Sequence, residues 1–144
     1  MNYKSENMSF KDNVFSGYLK KYIKSNYIKS MQRRFLIIDF NEGVILIKNH
    51  QYDKADSTNC KYLKFSQIKG CSYFDVSMFD KMPAMYGNCS IINTDLEELG
   101  LLKSLQHTTF KHPIQIEIDN KESIFCARTK EERLAWILAF KQAR

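Results

Sequence analysis

No acidic residue falls between Asp12 and Asp39. That gap holds Lys20, Lys21, Lys24, Lys29, Arg33 and Arg34, six cations that equal the whole formal net charge of +6. The excess is therefore a local patch, and a local patch on a rigid scaffold suits a negatively charged surface or headgroup. No apolar run approaches the ~20 residues that a membrane-spanning helix needs. Residues Met1 to Asp12 are polar and mixed in charge, so no secretory signal is expected. Residue 2 is Asn2, so the chain as written is not a myristoylation substrate. No C-x-x-C pair occurs among Cys60, Cys71, Cys89 and Cys126, so reduced thiols and a cytoplasmic setting are expected. His50, His107 and His112 supply no zinc-like spacing, and no metal or other cofactor is expected. G-x-S-x-G, H-E-x-x-H and phosphate-binding glycine loops are all missing. Cys89 with His107 or His112 lacks a third group to orient a base, so the chain is not expected to be an enzyme.

What is present reads as one domain with an ordinary core, hydrophobic content being 44% and charged content 26%. Residues 1–13 are expected as a fraying tail, with Met8 and Phe10 able to pack on the body. Residues 14–144 form the domain. Strands are expected at Val14–Lys24, with Gly17 as a bulge, at Gln32–Asp39, and at Val44–Lys48 after the Asn41-Glu42-Gly43 turn. Residues 51–59 are a polar loop. A fourth strand is expected over Tyr62–Ile68, a break at Gly70, and a fifth over Cys71–Val76.

Residues 78–109 differ in kind. Met78, Met82 and Met85 cluster beside Pro83 and Gly87. A capping box, Thr94-Asp95-Leu96-Glu97, then opens a short helix with Leu96, Leu99, Leu102 and Leu105 at helical spacing and Leu101 beside them. Ile114–Ile118 and Ser123–Ala127 are strands six and seven. A second capping box, Thr129-Lys130-Glu131-Glu132, opens the last helix through Trp136 and Phe140. The fold class is mainly β with a C-terminal α-helix. Seven antiparallel strands form a sandwich or barrel capped by that helix, with an extra helix inserted between strands five and six.

Gly17-Tyr18-Leu19-Lys20-Lys21 resembles the first strand of pleckstrin homology (PH) domains, G-[WY]-L-x-K. Arg34-Phe35-Leu36-Ile37-Ile38-Asp39 resembles their second strand, R-[WY]-F-x-L, and Glu132-Arg133-Leu134-Ala135-Trp136-Ile137 their helix pattern E-R-x-x-W-[IV]. The resemblance covers about residues 15 to 144, with 78–109 as an insertion. The Asn-, Lys- and Ile-rich wording also resembles the acylated PH proteins of apicomplexan parasites. The resemblance implies a PH-like fold and a basic motif, K-x(n)-[KR]-x-R, that binds inositol-lipid phosphates. Lys21 and Arg34 stand at its first and last positions.

Alternation supports that pairing. Lys21 shares a face with Leu19, and Arg34 with Leu36 and Ile38, so on an interior face the charged members must lie at the rim. The middle position is Gln32. Arg33 is one residue away and points to the other face. This departure fits a site for singly phosphorylated or simple anionic lipids, phosphatidic acid among them, better than one for a multiply phosphorylated headgroup.

Tyr22-Ile23-Lys24-Ser25 recurs as Tyr27-Ile28-Lys29-Ser30. Tyr27 and Ile28 are candidates for bilayer contact, while Lys20, Lys24, Lys29 and Arg33 supply attraction at longer range. The competing reading of Tyr22, Ile23, Tyr27 and Ile28 is that the strands extend and these residues pack. Lys61, Lys64 and Lys69 are expected on an outer, solvated face. The expected function is peripheral attachment of a monomer to the cytosolic leaflet through anionic lipid, with no role in nucleic-acid binding. The alternative is a protein-interaction adaptor that uses the insertion as its surface.

Overall fold

Short apolar–polar alternations separated by turn residues fold here as one curled antiparallel sheet. The computed structural model describes residues 3–4, 7–24, 29–73, 101, 105 and 108–143. Among the described residues the strands are β1 (Tyr3–Lys4), β2 (Met8–Lys11), β3 (Val14–Lys24), β4 (Lys29–Asp39), β5 (Val44–Lys48), β6 (Cys60–Lys64), β7 (Ile68–Tyr73), β8 (His112–Ile118) and β9 (Lys121–Ala127). The C-terminal helix, α1, is Lys130–Ala143. The path runs β6-β5-β4-β3-β9-β8-β7, with β2 also on β3 and β1 on β2. This is the mainly β, helix-closed architecture expected.

Turn chemistry fixes the registers. Asp12 and Asn13 have φ of 55° and 61°, and Asp119 and Asn120 have 50° and 69°. Each pair forms a two-residue link between paired strands, as a type I′ turn requires, because that turn needs two residues tolerant of positive φ. The Asp39 carboxylate accepts the Asn41 and Glu42 amides, and Gly43 takes φ 69° to complete the link from β4 to β5.

Several elements depart from expectation. Met8–Lys11, read from sequence as part of a fraying tail, is a strand. It takes the edge of β3 that β9 leaves open, since β2 pairs along Val14–Gly17 and β9 at Lys20–Lys21. Met8 is buried and Phe10 packs against the core. Gly17 is not a bulge but sits in regular register between Met8 and Leu36. Its role is close approach: a Cβ there would collide with the Asn7 carbonyl oxygen and stand 3.1 Å from the Trp136 ring.

β4 begins three residues earlier than expected, so its pairing with β3 continues to Lys24 opposite Lys29. The expected fourth strand stops at Lys64, and residues Phe65–Gln67 form a 3-10 turn. Gln67 makes that corner. Its Oε1 accepts the Lys64 amide at 2.8 Å, and its Nε2 donates to Asp119 at 2.6 Å. Gly70 therefore lies inside β7, at a register shift, rather than between two strands.

The core lies between the inner face of the sheet and α1. Leu19, Leu36, Ile38, Ile45 and Ile114 are fully buried there with Trp136. Phe15 meets Trp136 edge to face, ring centroids 4.6 Å apart. The Thr129 hydroxyl accepts the Glu132 amide at 3.0 Å, the first half of the expected capping box. The Glu132 carboxylate turns instead toward Arg128 at 3.6 Å and the Asn7 amide at 3.5 Å, tying α1 to the N-terminal segment.

A second apolar cluster lies on the outer face of the β3–β4 hairpin. Tyr22, Met31, Ile124 and Cys126 pack there with Phe110 and with Leu101 and Leu105, both helical. Part of the expected leucine stripe thus buries on its own domain. The methionines, the Thr94 capping box and Leu96, Leu99 and Leu102 lie outside the described residues.

Gly17→Ala forces the added methyl against backbone, an overpacking cost of roughly 1–3 kcal/mol. Thermal unfolding is expected to show a lower Tm and limited proteolysis an earlier cut before Val14. An unchanged Tm would remove the close-approach role from Gly17.

Candidate functional site

Residues directly opposite each other in paired strands share a face. In the β3–β4 ladder Leu19 stands opposite Arg34, Lys21 opposite Gln32, Phe15 opposite Ile38 and Gly17 opposite Leu36. Phe15, Leu19, Leu36 and Ile38 are core residues. Arg34, in the row of Leu19, and Lys21 with Gln32, one row further, therefore continue the interior face to its edge. There the sheet opens to water: Lys21 and Arg34 are half-buried and Gln32 is exposed. The rim position expected for the two cations is the one observed.

Packing holds each of them. Lys21 is also opposite Phe125 of β9, which is buried, and its Nζ stands 5.8 Å from that ring's centroid. The aliphatic stem lies over apolar surface while the ammonium reaches the rim. Arg34 Nη1 donates to the Arg33 carbonyl at 2.9 Å, and Nη2 donates to Gln32 Oε1 at 2.8 Å. The guanidinium is fixed by uncharged acceptors and keeps its full charge available.

Lys61 joins them from β6. It stands opposite Ile47, which stands opposite Leu36, so Lys61 belongs to the inner face with Leu63 two residues on. It is exposed, as expected, but lies in an inner row rather than an outer one; Lys64, by contrast, does lie in an outer row, opposite Val44. The charge of Lys61 is felt at Lys21. Burial pushes the Lys21 ammonium below its ordinary 10.5, and the Lys61 and Arg34 charges add to the shift. Among the described residues no carboxylate lies within ion-pair distance of Lys21, Arg34 or Lys61; the one ion pair described is Arg128 with Glu132.

Alternation separates the other cations from this rim. Lys20 and Arg33 are opposite each other on the outer face. The Lys20 ammonium is 5.3 Å from the Phe110 ring centroid and the Arg33 guanidinium 4.2 Å from that of Tyr18. Lys24 and Lys29 pair at the hairpin end. The cations of the patch are therefore divided, Lys21 and Arg34 on one face of the ladder and Lys20 and Arg33 on the other. Tyr22 packs inward on the second cluster, the outcome of the competing strand-extension reading. Tyr27 and Ile28 lie outside the described residues.

Among the described cysteines, Cys126 is fully buried. Burial pushes the Cys126 thiol up to about 12, which leaves no thiolate near neutral pH. No described group of three His, Cys, Asp or Glu residues is arranged to hold a metal. No helix among the described residues is long and apolar enough to cross a membrane.

No family model and no curated protein matches the chain. A solved structure that does is the solution structure of the N-terminal PH domain of ARAP2 protein from human. It is 14% identical, covers 98% of this chain and 83% of that chain, and has a TM-score of 0.49. The strand order and the closing helix make the fold PH-like. The comparisons give no support to the acylated apicomplexan subgroup.

Burying the Lys21 ammonium costs stability, and the like charges of Lys61 and Arg34 add to the cost. Because the folded-state pKa of Lys21 lies below its unfolded value, the unfolded chain binds more protons between the two. The cost is present in full below the folded pKa and fades as pH rises toward 10.5. Lys21→Met is therefore expected to raise Tm at pH 7, with the gain over wild type shrinking as pH approaches 10.5. Differential scanning calorimetry of the two proteins across that range measures it; a lower Tm at pH 7 would show that Lys21 is paired after all.

Proposed function

We propose that this PH-like module attaches to membranes by holding an anionic phospholipid headgroup at the inner-face rim. Lys21 and Arg34 grip the phosphate, and Lys61 adds a third charge to the same mouth. The observation that carries the reading is the placement of these cations on one face of the sheet, with no described carboxylate in ion-pair distance of them. Cations gathered on one face, two of them half-buried, are retained against their own repulsion when an anion completes them. The Arg34 fork can grip phosphate oxygens with the N–H groups that Gln32 and the Arg33 carbonyl leave free.

The remaining cations act at longer range. Lys20, Lys24, Lys29 and Arg33 belong to the same two strands, and each contributes about 1 kcal/mol near an anionic leaflet. Tyr27 and Ile28, beyond that end, enter the headgroup layer. The attachment is salt-sensitive, since exposed charges lose their attraction within a Debye length.

A protein-interaction role has one observation in its favour. Leu134 and Leu138, one turn apart on α1, are 56% and 53% exposed. Apolar side chains at that spacing suit a partner surface.

Flotation with phosphatidylcholine vesicles, with and without anionic lipid, separates the two readings. Binding is expected only with anionic lipid. Lys21→Ala with Arg34→Ala is expected to weaken it about a hundredfold, two charge-assisted hydrogen bonds being worth roughly 3 kcal/mol or more. No binding to anionic vesicles, or binding that the double variant leaves intact, would turn the assignment toward the protein partner.

A further inference from the structure

An antiparallel sheet with one face on the core turns mostly polar residues outward. β4 and β5 break that rule: Phe35-Leu36-Ile37-Ile38 and Val44-Ile45-Leu46-Ile47 are apolar on both faces. The core takes Leu36, Ile38, Ile45 and Ile47. The other members form rows across the outer face of β3 to β6. Ser16, Ile37, Leu46 and Tyr62 stand opposite one another in turn, and so do Tyr18, Phe35, Lys48 and Cys60. Tyr18, Ile37 and Leu46 are only half-buried, and Tyr62, on the last strand of the sheet path, is 56% exposed.

Cations frame these rows. Lys48 stands within the second, Arg33 with Lys20 forms the next row beyond it, and Lys64 lies opposite Val44 on the other side. The Arg33 guanidinium stacks 4.2 Å from the Tyr18 ring centroid, and that ring meets Phe35 edge to face at 4.9 Å. Arg33 is exposed, and no described acceptor takes its side-chain N–H groups. Stacking thus pre-sets a planar fork with an uncommitted edge, the form in which arginine grips a carboxylate with two bonds. Asp39 is the one carboxylate of these rows, and it accepts the Asn41 and Glu42 amides in its own turn.

Charge and shape select the occupant. A second copy of this face would set Arg33, Lys48 and Lys64 against their own kind. A nucleic-acid strand needs free ring faces for its bases, but Arg33 covers Tyr18 and Phe35 is buried. The aliphatic surface of Ile37 and Leu46 takes apolar side chains instead.

We propose that the outer face of β3 to β6 docks an acidic polypeptide segment of a partner protein. Its apolar side chains rest on Ile37, Leu46 and Tyr62, and one of its carboxylates enters the Arg33 fork. This surface is separate from the inner rim, on the opposite side of the same ladder.

The test pans a random-peptide phage library against the full chain and measures a selected peptide, fluorescein-labelled, by fluorescence anisotropy. Selected peptides are expected to combine Asp or Glu with apolar residues. Arg33→Ala and Lys48→Glu are each expected to weaken binding about tenfold or more, the worth of one charge-assisted hydrogen bond. Tyr62→Ser is expected to cost about tenfold as the loss of an aromatic anchor. Arg33 and Tyr62 are exposed, so these variants fold. Lys121→Glu makes the same change in net charge at an exposed position elsewhere and is expected to leave binding unchanged, which separates a site from bulk attraction.

No enriched peptide, peptides without acidic residues, or peptides that the variants bind like wild type would overturn the proposal. So would an oligouridylate that binds more tightly than any peptide and is lost in the same variants, which assigns the face to nucleic acid. Loss of anionic-vesicle flotation in Tyr62→Ser would assign it to the bilayer. Failure of peptide binding alone leaves the headgroup reading standing, since neither Lys48 nor Tyr62 belongs to it.

Discussion

The register of β3 against β4 is the constraint from which the rest follows. Pairing Leu19 with Arg34 and Gly17 with Leu36 puts the charged and apolar members of both strands on one face. A slip of one residue would turn Lys20 or Arg33 toward the core and expose Leu19 or Leu36. The same apolar rows that make the core therefore deliver Lys21, Gln32 and Arg34 to its edge. Site and core are consecutive stretches of one surface, divided where the sheet stops being covered.

The rest of the fold makes that edge rigid. β3 is paired along its second side by β2 at one end and β9 at the other, so the strand that carries Lys21 has no free length at the site. Gly17 lets the N-terminal segment press against Trp136, and Asn7 ties that segment to Glu132 of α1. On the outer face Leu101, Leu105 and Phe110 cover Tyr22, Met31 and Cys126 directly behind the cations. Leu101, Leu105 and Phe110 thus brace the hairpin from its outer side. What the inner rim costs in like-charge repulsion is carried by apolar packing elsewhere.

Much of this was legible in the residues. Val14–Lys24 and Val44–Lys48 begin and end where their patterns say, because each is bounded by turn residues and alternates cleanly. The sharing of a face by Lys21 with Leu19 and by Arg34 with Leu36 needed only strand parity. Three things were not legible, for different reasons. Met8–Lys11 is too short to stand alone as a strand and forms by filling an edge that only the tertiary structure creates. The corner at Phe65–Gln67 depends on a glutamine bonded to Asp119, 52 residues away. Lys61 shares parity with Leu63, a signal that was present, but its relation to Lys21 depends on the curl of four strands. The separation of the cations into two faces follows from parity alone. That separation is what turns a basic stretch into a site.

The most direct measurement is a heteronuclear NMR titration of the full chain with inorganic phosphate and then a soluble phosphomonoester, following backbone amides and the lysine and arginine side-chain nitrogens. The account predicts saturable shifts at Lys21, Gln32, Arg34 and Lys61, with the outward-facing Lys20 and Arg33 close to unmoved. Shifts led by Lys20 and Arg33, or spread evenly over every cation of the patch, would contradict it.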